Sequence, residues 1–158
     1  MKKYFMMMVA VLAAMTMFTL SSCGDDDDNG NGSSTGGIVG DWATVEFASD
    51  GTYMFIERLI FSSNGSFSGV DYAISGQDLN NSGTVSDIEK ASFSGTYVAS
   101  NGTLTMTVNG QTQQVTYKVS GSTLTLTTNG VATSYDKVDT NISSVISSVE
   151  QAYQNLHK

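Results

Sequence analysis

From Gly40 onward the chain alternates apolar and polar residues in short runs, and turn pairs built on glycine separate the runs. Asp50-Gly51, Asn64-Gly65, Asn101-Gly102, Asn109-Gly110 and Asn129-Gly130 suit tight hairpins, whose central positions need positive φ. Between and around them lie eight candidate strands: 42–48, 53–62, 66–74, 93–99, 103–108, 112–119, 123–128 and 131–138. Short strands with regularly spaced turn signals predict an antiparallel sandwich or barrel.

The clearest runs are TLTMTV and TLTLTT, which set Leu104, Met106, Val108, Leu124 and Leu126 on one face and threonines on the other. One apolar face and one wet face is the signature of an antiparallel sheet folded over a core. The run YMFIERLIF is different. Apart from Glu57 and Arg58 it is apolar on both faces, so its outer face needs a cover. The last stretch, 139–158, places Ile142, Val145, Ile146, Val149, Ala152, Tyr153 and Leu156 at helical spacing. Asp139 or Thr140 suits the start of that helix, and His157 and Lys158 suit its negative end. Such a helix is marginal alone in water. It is expected to lay its stripe on the barrel wall or across one mouth, and docking onto a partner is the rival use.

Composition narrows the partners. The chain has 7 basic and 15 acidic residues, a formal charge of −8, and no proline. Nothing in it forms the clustered basic surface that a phosphate backbone requires, which excludes nucleic acid. An acidic domain is also repelled by anionic lipid headgroups.

The N-terminus has its own grammar. Lys2 and Lys3 precede a mostly apolar run from Tyr4 to Leu20, the layout of a bacterial export signal. The run ends in Leu20-Ser21-Ser22-Cys23, which holds the only cysteine and resembles the lipobox of bacterial lipoproteins. The resemblance implies cleavage of residues 1–22, a diacylglycerol on the Cys23 thiol and acylation (palmitate, for example) of the new amino terminus, hence stable membrane anchoring. Residues 23–37 have no aliphatic or aromatic side chain and read as a flexible tether. The Asp25–Asp28 run within it resembles the acidic export tract of surface-displayed lipoproteins. That implies an outer-membrane protein facing the cell exterior, with a periplasm-facing lipoprotein as the alternative.

Catalytic constellations are scarce. The only histidine, His157, is the penultimate residue, so histidine-based triads and zinc sites are not expected. A carboxylate pair of the glycosidase kind would have to come from Glu46, Glu57, Asp71 and Glu89, and an acidic domain brings carboxylates together by chance, so no enzyme is expected. The stretch DLNNSGTVSDIE (78–89) resembles a twelve-residue calcium loop. Asp78, Asn80 and Ser82 fall at the first, third and fifth positions, Gly83 at the turn and Glu89 at the bidentate twelfth. Against this, position five is serine, Lys90 follows, and no entering helix precedes it. A plain polar loop joining two strands is the simpler reading, so no cofactor is required and Ca²⁺ is at most an accessory ion.

Gly40-Asp41-Trp42 opens the first strand. With eight strands and a C-terminal helix, residues 38–138 resemble the lipocalin-like lipoproteins. The resemblance implies an all-β, eight-stranded antiparallel up-and-down barrel with a C-terminal amphipathic α-helix (139–158) packed on it. In that family the tryptophan closes one barrel end and an arginine near the last strand packs on it; this chain offers Lys137 there, and its only arginine, Arg58, is on the second strand. The implied function is non-covalent binding of a small, partly apolar molecule, with Trp42, Leu104, Met106, Tyr117, Leu124 and Leu126 as the expected lining. A filled barrel that contacts glycan or protein through its outer surface is the alternative.

Overall fold

A computed structural model describes residues 37–81 and 83–158. The expected signal peptide, the expected lipidation site Cys23, all of the expected tether but Gly37, and Ser82 of the expected calcium loop lie outside the described residues.

Eight strands follow one another around a closed antiparallel barrel. They are β1 (Gly40–Phe47), β2 (Tyr53–Phe61), β3 (Ser66–Gln77), β4 (Thr84–Ser100), β5 (Thr103–Val108), β6 (Gln111–Ser120), β7 (Thr123–Thr128) and β8 (Val131–Lys137). Helix α1 (Thr140–Leu156) completes the chain. The hairpin chemistry works as the sequence predicts at three of the five turn pairs. At Asp50-Gly51 and Asn64-Gly65 only the glycine is at positive φ, and the Asp50 and Asn64 side chains accept from the Thr52 and Ser66 N–H groups instead. Asn101, Asn109 and Asn129 take φ of 48°, 51° and 52°, each followed by a glycine also at positive φ, so both central residues match the right-handed twist of their strands. β1 closes on β8 through Trp42↔Lys137 and Ala43↔Asp136, with Val138 N–H donating to the Asp41 carbonyl.

The pairing register fixes which side chains point inward, because alternate residues face opposite sides. Trp42 pairs with Leu59, Leu59 with Gly69, Gly69 with Phe93, and Tyr97 with Met106. Leu104 pairs with Val115, Tyr117 with Leu126, and Leu124 with Tyr135. Inside, Trp42, Leu59, Phe61, Phe67, Tyr97 and Leu104 are part of one buried cluster. Phe61 packs flat on Phe67 at 5.7 Å and edge-on to Tyr97 at 5.0 Å between ring centroids, geometries that favour aromatic pairs.

The outer face of β2 has the cover its sequence demands. Met54 and Ile56 join Ala43, Tyr72, Ile74 and Ile88 from neighbouring strands beneath Ile146 and Val149 of α1. Asp139 caps the helix, its carboxylate accepting from Ile142 N–H at 2.8 Å. Midway along, Glu150 accepts from the Tyr72 hydroxyl and the Lys90 ammonium at 2.6 and 2.8 Å. The helix therefore lies along the wall over β3 and β4, not across a mouth.

One part of the sequence reading is corrected. β4 runs for 17 residues from Thr84, where the pattern marks a strand only from Phe93, and β3 continues to Gln77. Charged residues at Asp87, Glu89 and Lys90 disguise the start of β4. They are tolerated because β5 pairs only with residues Thr96–Ser100, and charge on an unpaired edge discourages wrong partners. Pairing along the whole of β3 then holds the segment extended, with a register shift at Ser75/Gly76.

Candidate functional site

The two barrel ends differ. At the end where β1 begins, Trp42 is fully enclosed and its Nε1–H donates to the Ile38 carbonyl at 2.8 Å. Gly40, at φ +152°, turns the chain so that Ile38 reaches beneath the indole, a backbone geometry essentially reserved for glycine. The Lys137 ammonium stands 5.8 Å from the Trp42 ring, a cation–π contact.

This plug changes the assignment of the expected lining residues. All six point inward as predicted. Trp42, Leu104 and Leu124, however, are 0–1% exposed and packed into the closed-end core. They form the plug of the closed end. Leu126 is buried in the same cluster, and Met106 and Tyr117 are half-buried against it.

The other end is open. Its inward positions include short or exposed side chains, Thr44 and Glu46 on β1, Ala73 on β3, Ala91 on β4, Thr133 and Val131 on β8, beside the larger Tyr53 and Phe55 on β2 and Met106 and Val108 on β5. Val131 is 69% exposed although it faces inward. An eight-stranded barrel has an interior just wide enough for side chains to fill. Thr44, Ala73, Ala91 and Thr133 fill less of that interior than the aromatic side chains at the closed end do.

Between the two ends are two acids. Glu57 and Asp71 face each other directly across the β2–β3 pair, a relation that puts Cβ atoms about 5 Å apart. They are 7% and 8% exposed, the buried charged residues of the described chain. The Tyr135 hydroxyl donates to Glu57 Oε2 at 2.7 Å. Asp71 Oδ1 is buried with no hydrogen-bond partner. Burial pushes the Glu57 carboxyl up to about 7, and the Asp71 and Glu46 charges add to the rise while the Tyr135 bond opposes it. Burial alone raises Asp71 to about 6. Desolvation disfavours a charge that nothing opposite in sign relieves. The Tyr135 hydroxyl is correspondingly held far above its ordinary value, by burial first and then by Glu57.

The four carboxylates singled out in the sequence thus divide. Glu57 and Asp71 meet, Glu46 lies close enough to raise Glu57, and Glu89 is further toward the mouth, where it acts on Tyr53. What the sequence could not show was the register that sets 57 opposite 71. The one available signal was a glutamate in an otherwise apolar, doubly buried strand.

Among the described residues, the two acidic ends of the expected calcium loop, Asp78 and Glu89, are not brought together. Asp78 caps a single turn of 3-10 helix, Leu79–Asn81, with its carboxylate accepting from Asn81 Nδ2 at 3.1 Å. Asn80 folds against Gly51 of the β1–β2 loop. Glu89 is already inside β4, opposite Ala73, several residues along an extended strand from the turn. Among the described residues, no group of three or more acidic, histidine or cysteine side chains is placed to hold a metal ion.

Two grooves mark the outer surface. One, of about 420 Å³, is lined by Arg58, Ile60, Ser68, Val70, Ser92 and Ser94 among others. The second lies between α1 and β1, near the Arg58–Asp41 ion pair. Comparison with known proteins finds no family model, no curated protein and no solved structure that matches this chain.

Proposed function

We propose that this chain is a lipid-anchored, non-catalytic binding protein of a bacterial envelope, holding one small, partly apolar molecule in the open half of its barrel. The observation that carries the reading is the asymmetry of the interior: one end is plugged by Trp42 and its neighbours, while several inward positions at the other end are small or exposed. A barrel closed at one end, with a few polar groups converging inside, is a common form of a small-molecule site. Anchoring rests on the Leu20-Ser21-Ser22-Cys23 sequence, and surface display on the acidic tether behind it.

Native mass spectrometry of the chain released gently from its own membranes tests the binding reading. An adduct of a few hundred daltons that leaves on denaturation supports it. A mass bare but for the Cys23 lipid favours the second reading, an interaction module, for which the Arg58–Ser94 groove on the outer wall is the specific support. The anchor has a separate test: a Cys23→Ala chain that still takes up palmitate analogues and stays in the membrane fraction refutes it.

A further inference from the structure

Within the cup reading, on which this rests, we infer that the ligand carries a protonated amine, seated between the carboxylates of Glu57 and Asp71, with a short apolar body directed toward the mouth. The argument starts from what is missing around the pair. Every described basic side chain lies elsewhere. Arg58 is engaged outside with Asp41, Lys90 with Glu150, and Lys137 with the Trp42 ring. Lys118 is exposed on the wet face of β6, and Lys158 bonds Asn155 at the C-terminus. The groups that face the pair are acidic or weakly polar: Glu46 from β1, Tyr135 from β8 and, nearer the mouth, Glu89 from β4.

Two buried acids facing each other with one oxygen orphaned form a costly arrangement, because a buried polar atom without a partner keeps the full penalty of leaving water. An alkylammonium meets that need. It brings one positive charge and three N–H donors and accepts nothing, so Asp71 Oδ1 and a Glu57 oxygen can both be satisfied by one group. A divalent metal fits less well. Calcium takes six to eight oxygens, and the described residues offer no third acid, histidine or cysteine in ligating position. An anion would face uncompensated negative charge. A neutral alcohol has a single donor for two acceptors. Above the pair, Phe55 of β2 and Val131 of β8 are apolar inward positions near the mouth for a short body.

Cation binding requires ionised carboxylates. Glu57 titrates near 7, so the fraction ready for an ammonium rises from about one-tenth at pH 6 to about nine-tenths at pH 8. Affinity should climb roughly tenfold over that interval, with protons released on binding.

The test uses the full purified chain and three matched probes, hexylamine, hexanol and hexanoate, in calorimetric titrations at pH 6 and 8. The inference expects saturable hexylamine binding, strengthened roughly tenfold at pH 8, with hexanol at least tenfold weaker and hexanoate not bound. Asp71→Asn and Glu57→Gln, each verified as folded by circular dichroism, should both lose the preference for amine over alcohol and the pH dependence. Equal binding of amine and alcohol, unchanged in either variant, overturns the amine assignment but leaves the cup standing. No binding of any probe, with no adduct in native mass spectra, overturns both. Saturable binding of Ca²⁺ that Asp71→Asn abolishes also overturns the amine assignment, in favour of a metal.

Discussion

The empty carboxylate pair should make this protein less stable as pH rises through neutrality, and one substitution should remove most of the effect. The fold lifts Glu57 from 4.5 to about 7 and Asp71 from 3.8 to about 6. For an acid raised in the folded state, the unfolded chain gives up its proton first. The penalty is therefore absent below pH 4, grows between the unfolded and folded values, and is constant above the folded one. At 1.36 kcal/mol per unit, Glu57 alone costs about 3 kcal/mol by pH 8, a large part of the roughly 5–15 kcal/mol that holds a domain together. Glu57→Gln keeps an acceptor for Tyr135 and removes the charge. Urea unfolding at pH 5, 6, 7 and 8 should show the parent losing about 3 kcal/mol or more across the series and the variant much less, so that the variant is the more stable protein at pH 8. Parallel pH profiles for parent and variant would refute the claim that these acids are buried without compensation.

Three other perturbations have defined outcomes. A side chain at Gly69 would enter the Phe93 ring, whose nearest atom is 2.2 Å from the position of an added Cβ; Gly69→Val should cost roughly 1–3 kcal/mol or more, and Phe93→Ala in the same chain should recover part of the loss in a double-mutant cycle. Trp42→Ala empties the floor plug and should cost about 3–5 kcal/mol in thermal or urea unfolding, whereas Lys137→Met removes only the contact with the ring, about 1 kcal/mol or less. The bonds from Lys90 and then Tyr72 hold the Glu150 carboxyl down at about 2, so that interaction is complete above pH 4.5 and is lost as pH falls toward 2. Glu150→Gln should forfeit it at neutral pH, by about 1 kcal/mol or less for so exposed a pair, and hydrogen exchange should show α1 loosening before the barrel does.

Much of this architecture is legible in the residues. The threonine-backed runs at β5 and β7 and the asparagine-glycine turns declare hairpins because each feature acts locally. The two-sided apolar character of β2 and the striped C-terminus imply each other: the helix supplies what Met54 and Ile56 require. The start of β4 was hidden because its identity comes from pairing with β3, which no property of Asp87, Glu89 or Lys90 reveals. The carboxylate pair was hidden for a related reason. Four acids were visible, but only strand register decides that 57 meets 71 and that 89 does not meet 78. Inward direction was likewise readable for Leu104 and Leu124, whereas their place in the plug depends on which end Trp42 closes.

The closure of β1 on β8 has a kinetic consequence. Every other strand pair joins neighbours along the chain and can zip from its own turn, but Trp42↔Lys137 and Ala43↔Asp136 unite the first and last strands of the sequence. Joining them requires a loop that contains nearly the whole domain, and the entropy of that closure must be met before any contact across the seam rewards it. The open, curled sheet of seven hairpins should therefore form first and the ring shut last. Until it does, the edges of β1 and β8 are exposed to other chains, so the seam sets the time during which a newly made molecule can pair with the wrong partner.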